Sequence, residues 1–215
     1  MTTNTTPEKK RLVSDRSLEI LTGVILALVA VCTAWSVYQA ARWAGVQSMR
    51  MASGSARRIE STRASTLAGQ QTMVDIGLFT NWVNAYVEAN EELSQFYQGR
   101  FRAEFRPAFD AWVATKPRFN PDAPSSPFVM PEYKLAAQEQ ADELEAQANA
   151  LVAEGSAALQ TNNEYVLTTV FLASVLFFAT LSMRMHWPNV KAAVLLLALI
   201  MLLVSIYRLI SLPVH

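Results

Sequence analysis

The chain has little of what catalysis or metal binding requires. It carries one cysteine, Cys32, and two histidines, His186 and His215. A single cysteine excludes an intramolecular disulfide and leaves the redox compartment unread. Neither histidine has a partner at ligand spacing, so no metal-binding residues are assigned. There is no glycine-rich phosphate loop, no histidine in the middle of the chain and no pair of carboxylates in a distinctive setting. No catalytic or cofactor-binding residues are therefore assigned, no cofactor is expected, and the chain is not expected to be an enzyme. The 18 Lys and Arg balance the 18 Asp and Glu, which removes the bulk field that would argue for a nucleic-acid partner. Charges are also missing from the centres of the apolar runs. Glu19, Arg42, Glu164, Arg184 and Arg208 stand near run ends, which argues against a transporter working through buried charge.

What the chain does have is hydrophobic length. Apolar residues make up 52% of it and concentrate in residues 18–41, 166–183 and 192–212. Each run has the roughly 20 residues that a helix rising 1.5 Å per residue needs to cross a bilayer. The expected fold is an all-α membrane protein with three transmembrane helices, the long helices extending into an extramembrane helical bundle. The parts are a mobile cytoplasmic tail (1–16), a first span (17–43), an extracytoplasmic helical domain (44–163), a second span (164–184), a cytoplasmic loop (185–191) and a third span (192–212). Within the domain, helices are expected at about 44–74, 79–116 and 132–163, the last running on into the second span, with a proline-rich connector at 117–131.

The first run has a basic lead (Lys9, Lys10, Arg11, Arg16), which raises the question of a cleaved signal peptide. Its core is longer than a usual signal core, and Val29-Ala30-Val31 before Cys32 makes a poor lipoprotein site. An uncleaved span is expected, with Ser14 or Asp15 as helix cap and Trp35, Tyr38 and Trp43 at the membrane interface. Gly23, Ala27, Ala30, Ala34, Ala41, Ala44 and Ser48 follow alternating spacings of three and four, the seam of a left-handed helix pair. Small side chains let membrane helices approach where lipid offers no hydrophobic gain. A second such seam runs through Ala141, Leu144, Ala148, Leu151 and Gly155. The two suggest mutual packing, or packing of identical helices across subunits.

Charge gives a further pairing. Arg57, Arg58 and Arg63 are expected at the height of Asp142, Glu143 and Glu145, with anionic lipid as the alternative partner of the arginines. Phe101, Arg102, Phe105, Arg106 and Trp112 form an aromatic and a basic stripe. They read either as a lipid-contacting interface or as a short helix packed on the bundle. Gly69 and Gly77 place a turn near residues 75–80. Pro117, Pro121, Pro124, Pro127 and Pro131 predict an extended, stiff climb, with a proline-rich ligand segment as a weaker alternative.

Arg184 and Lys191 follow the second span, and no Lys or Arg occupies the 20 residues before it. The positive-inside rule then puts the amino terminus in the cytoplasm and the middle domain outside. The segments at residues 38–43, 106–112, 126–133 and 163–170, the last leading into Leu176-Phe177-Phe178, resemble a family of uncharacterised bacterial small membrane proteins. The resemblance implies the one-span, helical-domain, two-span plan and supplies no functional residues. The expected role is a self-associating scaffold or accessory protein of the bacterial inner membrane. Its expected partners are the lipid bilayer, further copies of itself and a membrane protein. A sensor subunit relaying a signal and an oligomeric channel are the alternatives.

Overall fold

A computed structural model describes residues 15–185 and 187–215; residues 1–14, with most of the expected tail and the candidate cap Ser14, and His186 lie outside the described residues. Among these, the regular elements are α1 (Asp15–Val87), α2 (Glu91–Gln98), α3 (Arg106–Ala114), a 3-10 turn (Pro127–Val129), α4 (Ala136–Met183) and α5 (Pro188–Ser211). No strand occurs among the described residues, and α1, α4 and α5 are long and apolar enough to cross a membrane. The protein is thus all-α, with three candidate spans.

The turn expected near residues 75–80 is absent, because α1 continues through it for 73 residues. A glycine inside a helix costs only about 1 kcal/mol relative to alanine. Against Gly69 and Gly77 stands a continuous inward face of Ala68, Asp75, Trp82 and Ala85. No proline interrupts residues 8–106. The helix ends where Ala89 turns to a left-handed φ of 56° and Asn90 caps α2 by accepting from Leu93 N at 3.1 Å. The expected helix at 79–116 is accordingly three pieces: the end of α1, then α2, then α3 with Pro107 in its first turn, where a missing N–H costs nothing. The connector is not an extended climb either. Bonds from Phe119 N to Lys116 O, Ala123 N to Asn120 O and Met130 N to Pro127 O fold it into successive turns. The next helix starts at Ala136, four residues after the expected 132, and runs unbroken to Met183, so the expected continuation into the second apolar run is present.

The chain forms two compact units. One comprises the described residues up to Arg50 together with Ala153–His215, and the other is Met51–Val152. Its boundaries fall inside the expected middle domain of 44–163.

In the first unit, α1 and α4 run antiparallel. Ser36 Oγ donates to Tyr165 O at 2.8 Å, Asn162 Nδ2 to Ala40 O at 2.6 Å, and Arg50 pairs with Glu154 at 3.1 Å. Helix α5 returns alongside, with Arg208 paired to Glu164. The middle is filled by Ile25, Val29, Leu172, Val175, Leu195 and Leu202. Buried hydroxyls mostly turn back to their own helix: Thr168 to Glu164 O, Ser182 to Ala179 O and Ser205 to Met201 O. That return is how a hydroxyl is tolerated where no water can solvate it. Residues 213–215 fold back over one end. Trp43 Nε1 and the Tyr165 hydroxyl both donate to Pro213 O, and His215 N donates to the buried Gln39 Oε1.

In the second unit, α1 and α4 touch through small residues, Gly54, Ala64 and Ala68 on one side and Ala137, Ala141 and Ala148 on the other. Their size permits a side chain of α1 to reach the backbone of α4, and Ser61 Oγ donates to Ala141 O at 2.8 Å. At Gly54 a Cβ would stand 3.1 Å from Val152 Cγ2 and 3.2 Å from Ala148 O. A branched side chain there cannot fit without separating the helices. We expect Gly54→Val to destabilise this unit by about 1–3 kcal/mol. Gly69→Ala, where nothing lies within 4 Å, is expected to stabilise it by about 0.5–1 kcal/mol. Thermal unfolding followed by helix ellipticity measures both. Equal effects of the two variants would refute the close approach.

Candidate functional site

Two features of the second unit combine chemistry with a defined setting. The first is a buried carboxylate. Asp75 projects from the inward face of α1 and is fully covered. Its Oδ2 accepts from Arg102 at 2.9 Å and from the Tyr133 hydroxyl at 3.1 Å. That hydroxyl also lies 3.3 Å from Thr72 Oγ1. Arg102 pairs with Glu104 as well, and Glu104 Oε1 accepts from Ala136 N at 3.1 Å. The first N–H groups of a helix have no partner inside it, so a carboxylate there satisfies one and faces the positive end of the helix dipole. One network thus ties α1, the turn before α3 and the start of α4. Oδ1 of Asp75 has no partner among the described residues. Burial holds the Asp75 carboxyl above its ordinary value of 3.8, and the Arg102 guanidinium offsets this only in part. Burial likewise holds the Tyr133 phenol above 10.0, so it remains a donor at neutral pH.

Around this network lies an aromatic core. Phe101, Phe105 and Phe109 are buried with Trp82, and Phe79, Trp112 and Phe128 pack against them. Ring pairs such as Phe101–Phe105 (5.0 Å, 83°) and Trp82–Phe109 (4.8 Å, 84°) meet edge to face, the arrangement the ring quadrupole favours.

The second feature is a cavity of about 950 Å³ beside that core. Trp82, Tyr86, Trp112, Lys116, Arg118 and Phe119 are among its walls. Trp82 and Tyr86 are stacked at 5.1 Å and 14°. Three prolines, 117, 121 and 124, fix the backbone of the far wall. Trp112 Nε1 donates to Pro124 O at 2.8 Å and Asn120 Nδ2 to Thr115 O at 3.2 Å, holding that wall to α3.

The residues singled out from sequence fare unequally. Phe101 and Phe105 are core, Trp112 is half-buried, Arg102 is committed to Asp75, and Arg106 donates to Gly99 O and Phe101 O. The lipid-contact reading of this stripe is therefore corrected, because its apolar face is covered within the unit. Arg57, Arg58 and Arg63 form no ion pair with Asp142, Glu143 or Glu145 among the described residues. Arg57 pairs with Glu60 on its own helix, and Arg58 donates to Asn149 at 2.9 Å. Asp142 and Glu143 accept from Gln138 and Gln147 on α4. Arg58, Asp142 and Glu145 do border one shallow cavity, so the expected proximity is present without the pairing.

In the second seam Ala141, Ala148 and Gly155 are buried, and Leu144 and Leu151 half-buried. The first seam is turned the other way. Gly23, Ala27, Ala30, Ala34, Ala41 and Ser48 are exposed and Ala44 is half-buried, while Thr22, Ile25, Val29, Ser36 and Gln39 face the core. Within one chain the two seams do not form a matched pair along the first span.

Sequence reasoning assigned Asp75 to a turn and missed Glu104, Tyr133 and the cavity. The signal for Asp75 was its place seven residues from both Ala68 and Trp82, a carboxylate on an otherwise apolar face.

No family model matches this chain, and neither a curated protein nor a solved structure is significantly similar to it.

The raised pKa has a direction that can be measured. The folded state binds the Asp75 proton more tightly than the unfolded state. Its contribution is therefore full below about pH 4 and is lost as pH rises through the folded pKa. Asp75→Asn cannot titrate. Its stability relative to the parent should improve steadily as pH rises from 4 towards 7, read as the difference in unfolding midpoints. A difference independent of pH would show that burial does not govern this carboxyl.

Proposed function

We propose that this protein is a non-enzymatic, multi-pass protein of a bacterial inner membrane, which self-associates and presents its middle helical unit to a partner outside the cytoplasm. One observation supports the reading above the others. The chain's own packing uses the face of Thr22, Ile25, Val29 and Ser36, which leaves the stripe of Gly23, Ala27, Ala30 and Ala34 uncovered. In lipid, an uncovered stripe of small residues on a long helix offers a second helix a close approach that bulkier faces deny. Large apolar side chains, among them Val24, Val31, Leu196, Leu203 and Ile210, cover much of the remaining outside, as a lipid-facing surface requires.

The channel alternative would need several chains. The core of one is packed with Ile25, Val29, Leu172, Val175, Leu195 and Leu202, apolar side chains that do not line a water-filled path. The basic residues of the amino terminus and of the loop after α4 support a cytoplasmic location for both.

Ala30→Leu with Ala34→Leu adds bulk to the outward stripe and leaves the inner core untouched. Native mass measurement in mild detergent should show an oligomer for the parent and about a tenfold loss of it in the variant, equivalent to ~1.4 kcal/mol. A strictly monomeric parent, or a variant that assembles equally well, would sink the proposal. For orientation, a reporter active only in the cytoplasm and fused after His215 should stay silent.

A further inference from the structure

We infer that the cavity between the end of α1 and the 116–125 segment is a binding site for a small planar aromatic carboxylate. Its volume, about 950 Å³, is at the upper end of what small-molecule sites occupy. Its walls supply both halves of such a ligand's chemistry. The stacked Trp82 and Tyr86 rings form one wall, and Tyr86 is 46% exposed. Phe119 forms part of the other and is 81% exposed, an unusual position for a phenylalanine that the chain itself does not cover. Flat rings recognise a flat partner by offset stacking at small entropic cost, since each has only two rotatable bonds.

Charge selects the sign of the ligand. Lys116 and Arg118 both line the cavity, and no Asp or Glu does. Asp122, which lies close in sequence, is not among the lining residues. A carboxylate held beside two unopposed cations gains charge-assisted hydrogen bonds, and Arg118 provides a planar donor fork suited to it. The backbone of the far wall is also set before any ligand arrives. Lys116 holds a left-handed φ of 54°, which a non-glycine residue keeps only when its surroundings impose it. The prolines and the bonds from Trp112 and Asn120 supply that constraint. A preorganised site avoids the ordering cost that would otherwise be subtracted from affinity.

The test uses the full chain in nanodiscs of zwitterionic lipid, with empty nanodiscs as the blank, and equilibrium dialysis of three probes. These are 2-naphthoate, its neutral isostere 2-naphthamide, and octanoate, an anion without a ring. Naphthoate should bind saturably and at least tenfold more tightly than either of the others. Lys116→Gln with Arg118→Gln, both exposed positions, should lower naphthoate affinity about tenfold to the level of the amide and leave amide binding unchanged. Tyr86→Ala should weaken both aromatic probes. The assignment is overturned if naphthoate does not saturate, if the amide or octanoate binds as well, or if the double variant retains the preference for the anion.

Discussion

A peptide N–H or C=O left unpaired in hydrocarbon costs several kcal/mol, and the architecture follows from avoiding that cost. The spans must be helices whose bonds close within the segment, and so must any polar side chain that enters with them. The buried hydroxyls on α4 and α5 are bonded to carbonyls of their own turns. The exceptions cluster at one end of the first unit. There Ser36, Gln39, Asn162 and Tyr165 bond to neighbouring segments instead of their own helix, and Thr33 Oγ1 and Gln39 Nε2 have no partner among the described residues. Polar contact there fixes which turn of one helix meets which turn of the next, a selection that an all-apolar interface of similar side chains makes poorly.

The second unit solves a different problem with different means. Its helices meet through glycine, alanine and serine, which bury little area, so they contribute closeness more than hydrophobic stabilisation. The stabilisation is concentrated at the other end, where Phe101, Phe105, Phe109 and Trp82 are buried together. Removing one such ring to alanine typically costs about 3–5 kcal/mol. Asp75 sits at the join between the two regimes. Its burial is unfavourable in itself, and Arg102, Tyr133 and Glu104 make it tolerable while fixing where the start of α4 must lie.

The helices and spans were legible in the sequence because they rest on signals that do not depend on distant contacts. Three apolar runs set the spans, and a seam through Ala141, Ala148 and Gly155 set the inner face of α4. The distribution of the nine prolines held a further signal, since none falls inside residues 8–106 or 132–187, where α1 and α4 run. The failures share a cause. Whether Gly69 and Gly77 end a helix depends on what the opposite face buries. Whether Phe105 meets lipid or other rings depends on partners 20 or more residues away, Phe79 and Phe128 among them. The facing of the first seam depends on which of two stripes on α1 the later helices choose, and the small stripe and the Thr22–Ile25–Val29 stripe lie side by side on one helix.

The first unit is assembled from two pieces of chain that flank the second. During synthesis the first span is therefore made long before its partners. At 5–20 residues per second, the stretch from Gln39 to Tyr165 takes on the order of 10 s to emerge. Through that interval Ser36 and Gln39, which end fully buried, have no α4 to face. The middle unit, contiguous in sequence, can close first and bring the start of α4 back against α1. The order in which the two units can close is thus set by the chain itself, and a glutamine that ends fully buried must wait for the later helices to cover it.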